Sequence, residues 1–142
     1  MERDVQRRLE DVLDREIDAA RSLAAILAAE RTALTGGSPQ DVEQKAADKI
    51  KLLGAIETLE AERRGLWDAP GGLGQTTVAE RWHALMELMA ACRTANEVNG
   101  HIIHVRQHQV GQLIDIVRGG PAVTYSPQGK TSAKTLRALA RA

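Results

Sequence analysis

The sequence predicts an all-α protein, built as an elongated antiparallel three-helix bundle with coiled-coil-like packing and a flexible C-terminal tail. The composition is the first of three supporting observations. The 142 residues include no Phe, one Tyr and two Trp, so a core must be built from Leu, Ile, Val and 22 alanines. Such a composition favours helices packed on helices. The second observation is that all four prolines fall outside the periodic segments. The third is that apolar residues within those segments recur every three to four positions.

The first predicted helix spans about residues 2–35 of the chain. On its outer face, Asp4 with Arg8 and Asp11 with Arg15 form acid–base pairs four residues apart, in the favourable order. The pair of glycines at 36–37 ends the helix. Its apolar stripe consists of Val5, Leu9, Val12, Leu13, Ile17, Ala20, Leu23, Ala24, Leu27 and Leu34.

The second predicted helix covers residues 39–67 and has a clear start signal. Ser38 is the expected N-cap, Pro39 occupies the first helical position, and Asp41 completes a variant of the capping box. Its apolar stripe consists of Val42, Ala46, Ile50, Leu53, Ile56, Leu59, Leu66 and Trp67.

The segment DAPGGLGQT, residues 68–76, contains too much glycine to remain helical. Thr77 with Glu80 forms a second capping box, which predicts that the third helix starts there and covers residues 78–118. The chain is thereby divided into a helical bundle, residues 1–118, and a tail, residues 119–142.

Asn99-Gly100 lies in the middle of the third segment, although this dipeptide is typical of turns. The helical pattern nevertheless continues through it, as a seam of positions that alternate steps of four and three residues. The seam consists of Leu85, Met89, Cys92, Asn96, Asn99, Ile103, Arg106, Val110, Leu113 and Val117. Because a turn would not preserve this phase, we predict one continuous helix, in which Gly100 costs up to about 1 kcal/mol relative to Ala.

The middle of the seam is polar, since Asn96, Asn99 and Arg106 occupy positions that would otherwise hold leucine. Two interpretations of Asn96, Asn99, Gly100 and Arg106 stay open. Buried asparagines at such positions specify register and partner, which would make this a recognition or alignment device. Alternatively, the helix projects beyond its neighbours here and the seam is solvated.

Charge is unevenly distributed along the chain. Residues 1–118 hold 15 Lys and Arg against 19 Asp and Glu, whereas residues 119–142 hold four basic residues and no acid. Four basic residues and a single tyrosine provide few contacts for phosphates and bases, so no nucleic-acid partner is expected. We expect a mobile basic tail that forms a short amphipathic helix on a partner, through Leu136, Leu139 and Ala140. Packing of this tail on its own bundle is the alternative.

The N-terminus MERDVQRRLE carries no apolar run like that of a signal peptide, and nowhere do about 18 apolar residues follow one another. We therefore expect a soluble, cytoplasmic protein with no membrane insertion. The single cysteine, Cys92, excludes an intramolecular disulfide and a Cys-based zinc site.

Three histidines, His101, His104 and His108, follow Glu97 at helical spacing and could face a metal ion together. They centre about 155° from the seam, however, so a solvent-exposed face is the better interpretation. No metal site or cofactor is predicted. Because no nucleophile–base set, phosphate loop or buried carboxylate pair can be located, no enzymatic activity is predicted either.

The segment NEVNGHIIHVRQHQVGQLIDIVRG, followed by TYSPQGK, resembles the FlgN family of flagellar type III export chaperones. The resemblance covers about 35 residues, from 96 to 130, and the first two helices match only in being helical. Ser126 differs, since members often have glycine directly after the tyrosine. The matching features are Asn96, Asn99-Gly100, Ile102-Ile103, Arg106, the stretch from Leu113 to Gly119, and Tyr125 with Gly129.

The resemblance implies a cytosolic chaperone that binds the C-terminal helices of hook-filament junction (hook-associated) proteins, prevents premature assembly and delivers them to the export gate. It assigns docking on the cytosolic domain of the gate to Tyr125, with Gly129 beside it. For binding of the exported protein, the candidate residues are Leu113 and Val117 together with Leu136, Leu139 and Ala140.

Two alternatives to this function stay open. A helical scaffold or coiled-coil assembly factor without an export role would self-associate through the seam. A metal-binding protein built on the histidine face would hold stoichiometric metal. The sequence leaves both a monomer and a homodimer open.

Overall fold

The structure, a computed structural model, describes residues 2–68 and 76–119. In this part of the chain there are three helices and no strand: α1 (Glu2–Gly36), α2 (Pro39–Trp67) and α3 (Thr76–Val117). The predicted all-α three-helix bundle is confirmed. Each helix begins and ends within two residues of the bounds expected from the sequence.

The helices run up, down and up, with α1 between the other two. Glu16 pairs with Arg63 and Glu30 with Lys49, so α1 and α2 are antiparallel. The order of contacts between α1 and α3 is the opposite: residues 10 and 14 of α1 contact residues 77 and 81, and residue 27 contacts residue 99. Consequently α3 runs parallel to α1 and antiparallel to α2.

The core follows the apolar face of α1, because this helix packs against both of its neighbours. Near the N-terminus of α1, the rings of Trp67 and Trp82 lie 4.9 Å apart at 50°, which joins the end of α2 to the start of α3. The buried apolar residues are Leu9, Val12, Leu13, Ile17, Ala20, Leu23, Leu27, Ala33, Leu34, Leu66, Val78, Leu85 and Cys92.

The hairpin between α1 and α2 is short and has the predicted start signal for α2. Ser38 Oγ accepts from the amide of Asp41 at 3.2 Å, and Asp41 Oδ2 accepts from the amide of Ser38 at 3.3 Å. The capping box is therefore confirmed. A Cβ at Gly37 would lie 2.8 Å from the Cα of Ala33, so this position needs glycine.

α3 passes through Asn99-Gly100 without interruption, so the continuous helix is confirmed. Its 42 residues correspond to about 63 Å at about 1.5 Å per residue. A Cβ at Gly100 would meet nothing within 4 Å. The glycine is therefore not required by packing inside the described part of the chain.

The start of α3 differs from its prediction. Thr77 was expected to cap the helix with Glu80, but the helix already includes Thr76 and Thr77. The Thr77 hydroxyl donates instead to Oε1 of Glu10 at 2.7 Å, and this bond lowers the pKa of that carboxyl group. A contact between helices has replaced the expected local cap.

The apolar stripe predicted for α2 is also partly wrong. Ile50 was placed on the buried face, yet it is 43% exposed, while the neighbouring Lys49 is 1% exposed. The positions from Val42 to Trp67 that alternate steps of four and three residues include Lys49, and this series faces the other helices. The buried face of α2 was assigned incorrectly because a charged residue, Lys49, occupies a seam position.

None of the helices in residues 2–68 and 76–119 has an apolar stretch of the length and hydropathy needed to cross a bilayer. The tail predicted for residues 119–142 lies, apart from Gly119, outside the described residues.

Candidate protein-binding surface

The C-terminal end of α3 extends beyond the rest of the bundle. Asn99 lies beside Leu27, so the last residue of α1, Gly36, falls roughly level with residue 108 of α3. The following residues, 109–117, form about two and a half further turns without α1 or α2 beside them. We refer to residues 109–117 as the projecting end.

The projecting end carries an apolar stripe. Val110, Leu113, Ile114 and Val117 follow one another at spacings of three and four residues, which places them on one face of the helix. Their exposed fractions are 54%, 61%, 45% and 86%, and Ile116 beside them is 70% exposed. Apolar residues scattered singly on a surface need no explanation, whereas these form a contiguous set, which makes them a candidate contact site.

Polar residues cover the opposite face of the projecting end. Gln112 lies there, and its Nε2 is 3.3 Å from Nε2 of His108, which lies one turn earlier on the same face of α3. A helix with one apolar and one polar face can pack against an apolar helix of another protein and remain solvated on its other side. The geometry therefore suits helix-to-helix binding.

About three turns before the projecting end lies a polar layer, which we define as Glu30, Lys49, Asn96 and Asn99. Asn96 is half-buried and the other three side chains are buried. Lys49 Nζ donates to Glu30 Oε2 at 3.0 Å and to Asn96 Oδ1 at 3.2 Å. Asn99 Nδ2 donates to Glu30 Oε1 and to the carbonyl of Leu27, both at 2.9 Å. The layer thus joins all three helices through side-chain hydrogen bonds.

The polar layer is fully satisfied. Asn99 is 0% exposed and Glu30 is 2% exposed. The Asn99 side-chain oxygen also has a partner, because Arg31 Nε donates to Oδ1 at 3.2 Å. In the described ranges, no buried side-chain nitrogen or oxygen lacks a hydrogen-bond partner. A satisfied network of this kind specifies one arrangement of the helices, since a partly satisfied one is costly.

A second buried pair lies two heptads away, nearer the tryptophans. Arg63 Nε donates to Oε1 of Glu16 at 2.9 Å, and the guanidinium lies 4.6 Å from the centre of the Trp82 ring. Burial raises the pKa of Glu16, and the charge of Arg63 opposes this shift. The pair holds α1, α2 and α3 together at this end of the bundle.

A pocket of about 140 Å³ opens between α2 and α3. Burial raises the pKa of the Cys92 thiol in its wall, which disfavours the reactive thiolate. The lining residues are Leu23, Leu27, Lys49, Leu53, Met89, Cys92, Arg93 and Asn96.

The structure separates the site residues predicted from the sequence into three groups. Asn96 and Asn99 lie in the polar layer, with Gly100 half-buried beside them, whereas Arg106 is exposed. The seam is therefore enclosed at Asn96 and Asn99 and solvated at Arg106. Leu113 and Val117 lie in the apolar stripe of the projecting end. The remaining predicted site residues, Tyr125, Gly129, Leu136, Leu139 and Ala140, lie outside the described residues.

The histidine face is exposed, as the sequence predicted for His101, His104 and His108. Across residues 2–68 and 76–119, no three His, Cys, Asp or Glu side chains are grouped closely enough to hold a metal ion.

Sequence reasoning missed four charged residues of the buried contacts: Glu16 and Glu30 on α1, and Lys49 and Arg63 on α2. The signal was nevertheless present. Leu13, Glu16 and Ala20 are separated by steps of three and four residues. The residues that flank Glu30, Lys49 and Arg63 on their seams have the same spacing. Alternating steps of four and three residues predict that α3 is continuous. The same pattern, applied to α1 and α2, places all four charged residues on the seams.

Taken together, the fold and the projecting end define a small helical-bundle protein whose exposed apolar surface is suited to contacts with other proteins. The chain belongs to the FlgN family, because the family described as FlgN protein matches residues 1–133. The match includes residues 96–130, which carry the resemblance, and also covers the first two helices.

Two curated relatives are similar to the chain along most of its length. Both are called flagella synthesis protein FlgN, one from Salmonella typhimurium (strain LT2) and one from Salmonella typhi. Each is 26% identical over 128 residues, which cover 88% of this chain and 91% of the relative. No solved structure matches the chain significantly.

Proposed function

We propose that this protein is a cytosolic flagellar export chaperone. In this role it binds hook-filament junction proteins, prevents their premature assembly and delivers them to the type III export gate. Membership of the FlgN family and the names of the two relatives, both flagella synthesis proteins, support a role in flagellar assembly. The observation that carries the proposal is the apolar stripe of the projecting end, which no other described helix covers.

A chaperone of this kind has to cover apolar helices of its client that would otherwise assemble. The projecting end offers the complementary surface, since Leu113 and Val117 are 61% and 86% exposed in the isolated chain. Burying one such side chain contributes about 1.5–3 kcal/mol before ordering costs are subtracted. Two of them therefore suffice for a large difference in affinity.

The tail would complete the binding function. We assign Leu136, Leu139 and Ala140 to the same client helix, because they supply a second apolar stripe of helical spacing. Tyr125 and Gly129 precede this stripe in the sequence, and we assign them to docking on the cytosolic domain of the gate. The proposed function involves binding only, without catalysis or a cofactor.

The scaffold alternative uses the same observation, because an exposed apolar stripe can also pair with a second copy of the chain. The two functions differ in what covers the stripe. A chaperone binds the junction protein as its principal partner, whereas a scaffold forms stable homo-oligomers at low concentration.

The test compares two matched variants of the projecting end by calorimetry against a C-terminal fragment of a junction protein. Leu113→Ser with Val117→Ser alters the apolar face, and His108→Ser with Gln112→Ser alters the opposite face of α3 in the adjacent turn. The first variant should weaken binding on the order of a hundredfold or more, and the second should bind as the wild type does.

Equal affinity of all three proteins for the fragment would exclude the projecting end as the client site. Sedimentation of the free proteins distinguishes the scaffold alternative. A concentration-dependent oligomer that is lost only in the Leu113→Ser/Val117→Ser variant, without affinity for the fragment, would replace the chaperone proposal.

A further inference from the structure

The axial register of α3, which is its position along the bundle, is determined separately from the face that α3 turns toward α1. The hairpin of two residues, Gly37 and Ser38, fixes α2 against α1. α3 is joined to α2 only through residues 69–75, which include three glycines. A shift of α3 by one heptad keeps the same face of the helix toward α1, so apolar packing alone discriminates weakly between such registers.

One shifted register competes most directly with the observed one. If α3 moved by seven residues toward the N-terminus of α1, Arg106 would reach the position of Asn99, opposite Glu30. Ile103 would reach the position of Asn96, opposite Lys49. This register offers Glu30 a new cationic partner and draws the apolar stripe of the projecting end toward the bundle.

The two asparagines oppose this shift. Asn99 would move to the position of Cys92, beside Leu23 and Leu27, where the Ala20 carbonyl that now accepts from Cys92 Sγ replaces the Leu27 carbonyl. The hydrogen bonds with Glu30 and Arg31 would be lost, because neither side chain lies at that level. A buried amide group whose donors or acceptor are left unpaired is unfavourable, because it has lost its hydration without replacement. In the observed register, Asn99 hydrogen-bonds through both its amide nitrogen and its oxygen, and Asn96 Oδ1 accepts from Lys49.

We infer that Asn96 and Asn99 are positioning residues that fix the axial register of α3, and thereby set how far its apolar end projects from the bundle. A shift of one heptad corresponds to about 10 Å. It would bring Val110 to the axial position now held by Ile103 and would shorten the projecting end by about two turns. The inference does not depend on which protein binds there.

The test measures a distance within the chain and needs no partner. Spin labels are attached to Arg8→Cys on α1 and Gln109→Cys on α3, two exposed positions near opposite ends of the bundle, in a Cys92→Ala background. The decisive variant moves the asparagine pair by one heptad: Asn96→Leu, Asn99→Leu, Ile103→Asn and Arg106→Asn. Its distance should be about 10 Å shorter than in the labelled wild type.

A second variant, Asn96→Leu with Asn99→Leu, deletes the pair without moving it. It should populate both registers, so its distance distribution should contain the wild-type distance and one about 10 Å shorter. Circular dichroism monitors helical content in each protein. The wild-type distance in a folded transposed variant would overturn the inference. If that variant does not fold, a single wild-type distance in the deletion variant overturns it.

Discussion

The ammonium group of Lys49 lies 3.0 Å from Oε2 of Glu30, and each of the two side chains is only 2% exposed. A buried ion pair is a poor source of net stability, because both charges have lost their hydration. It is a strong source of specificity, because either charge alone would be stranded. The pair couples α1 to α2 at the axial position where Asn96 and Asn99 attach α3.

The first prediction concerns removal of one charge from this pair. Lys49→Met leaves the Glu30 carboxylate buried with Asn99 as its remaining partner in the layer, so the free energy of unfolding should fall by about 3–5 kcal/mol. Adding Glu30→Gln removes the stranded charge while keeping an oxygen that accepts from Asn99. The double variant should therefore be more stable than Lys49→Met in urea denaturation. A double variant that is less stable than Lys49→Met would contradict this account.

The second prediction is a pH dependence that originates from Glu16. Burial raises the pKa of this carboxyl group above its ordinary value of 4.5. The folded state therefore binds the Glu16 proton more tightly than the unfolded state does. The contribution of protonated Glu16 to stability is fully present below the ordinary value and is lost as pH rises through the folded-state pKa.

Glu16→Gln removes this titration and keeps an oxygen that accepts from Arg63. The measurement is the difference in unfolding free energy between wild type and variant, from denaturation curves at several pH values. Relative to the variant, the wild type should lose stability as pH rises from 4.5 through the folded-state pKa. Glu10, whose pKa is lowered by Thr77, has the opposite dependence, but it is present in both proteins and cancels. A difference that rises with pH would show that Arg63, rather than burial, dominates at Glu16.

The third prediction concerns Gly100, which lies in a continuous helix with open space where a Cβ would be. Gly100→Ala should raise the free energy of unfolding by up to about 1 kcal/mol, because alanine loses less backbone entropy on folding. Gly111→Ala is the matched control, since a Cβ at that helical glycine would also meet nothing within 4 Å. A loss of stability confined to Gly100→Ala would reveal a close contact at Gly100 in solution.

Much of the fold could be predicted from the sequence because its signals are local. The proline positions, the Ser38 capping box and the phase through Asn99-Gly100 each depend on residues within one segment, and the structure confirms them. Phase proved stronger than dipeptide preference at Asn99-Gly100. A turn signal of two residues was outweighed by a seam that continues for several turns on both sides.

The polar layer could not be predicted in the same way, because its partners come from three helices. Glu30 and Lys49 are charged, and a single helix gives no reason to bury either of them. Their burial follows only when the seams of α1 and α2 are aligned, so that the two residues meet. The sequence names Leu113 as a candidate for binding, but how far it is exposed could not be predicted, since that depends on where α1 ends relative to α3.

The tail residues assigned to binding lead to the last prediction. Leu136 and Leu139 are three residues apart, so in a helix they lie on one face, and burial of both contributes roughly 3–6 kcal/mol before ordering costs. Tyr125 precedes them by more than ten positions, beside Pro127, where it can act as a single aromatic anchor for another partner. The two ends of the tail should therefore have separable functions.

Calorimetry of two variants against two partners tests this separation. Leu136→Ser with Leu139→Ser should lose much of its affinity for the C-terminal fragment of a junction protein and keep its affinity for the cytosolic domain of the export gate. Tyr125→Ala should show the reverse pattern, and secretion of the junction protein should decrease in both. If the leucine variant binds the fragment normally, the tail is not part of the client site and the apolar stripe of the projecting end must carry the binding by itself. If Tyr125→Ala abolishes fragment binding and spares the gate, the assignment of Tyr125 is wrong.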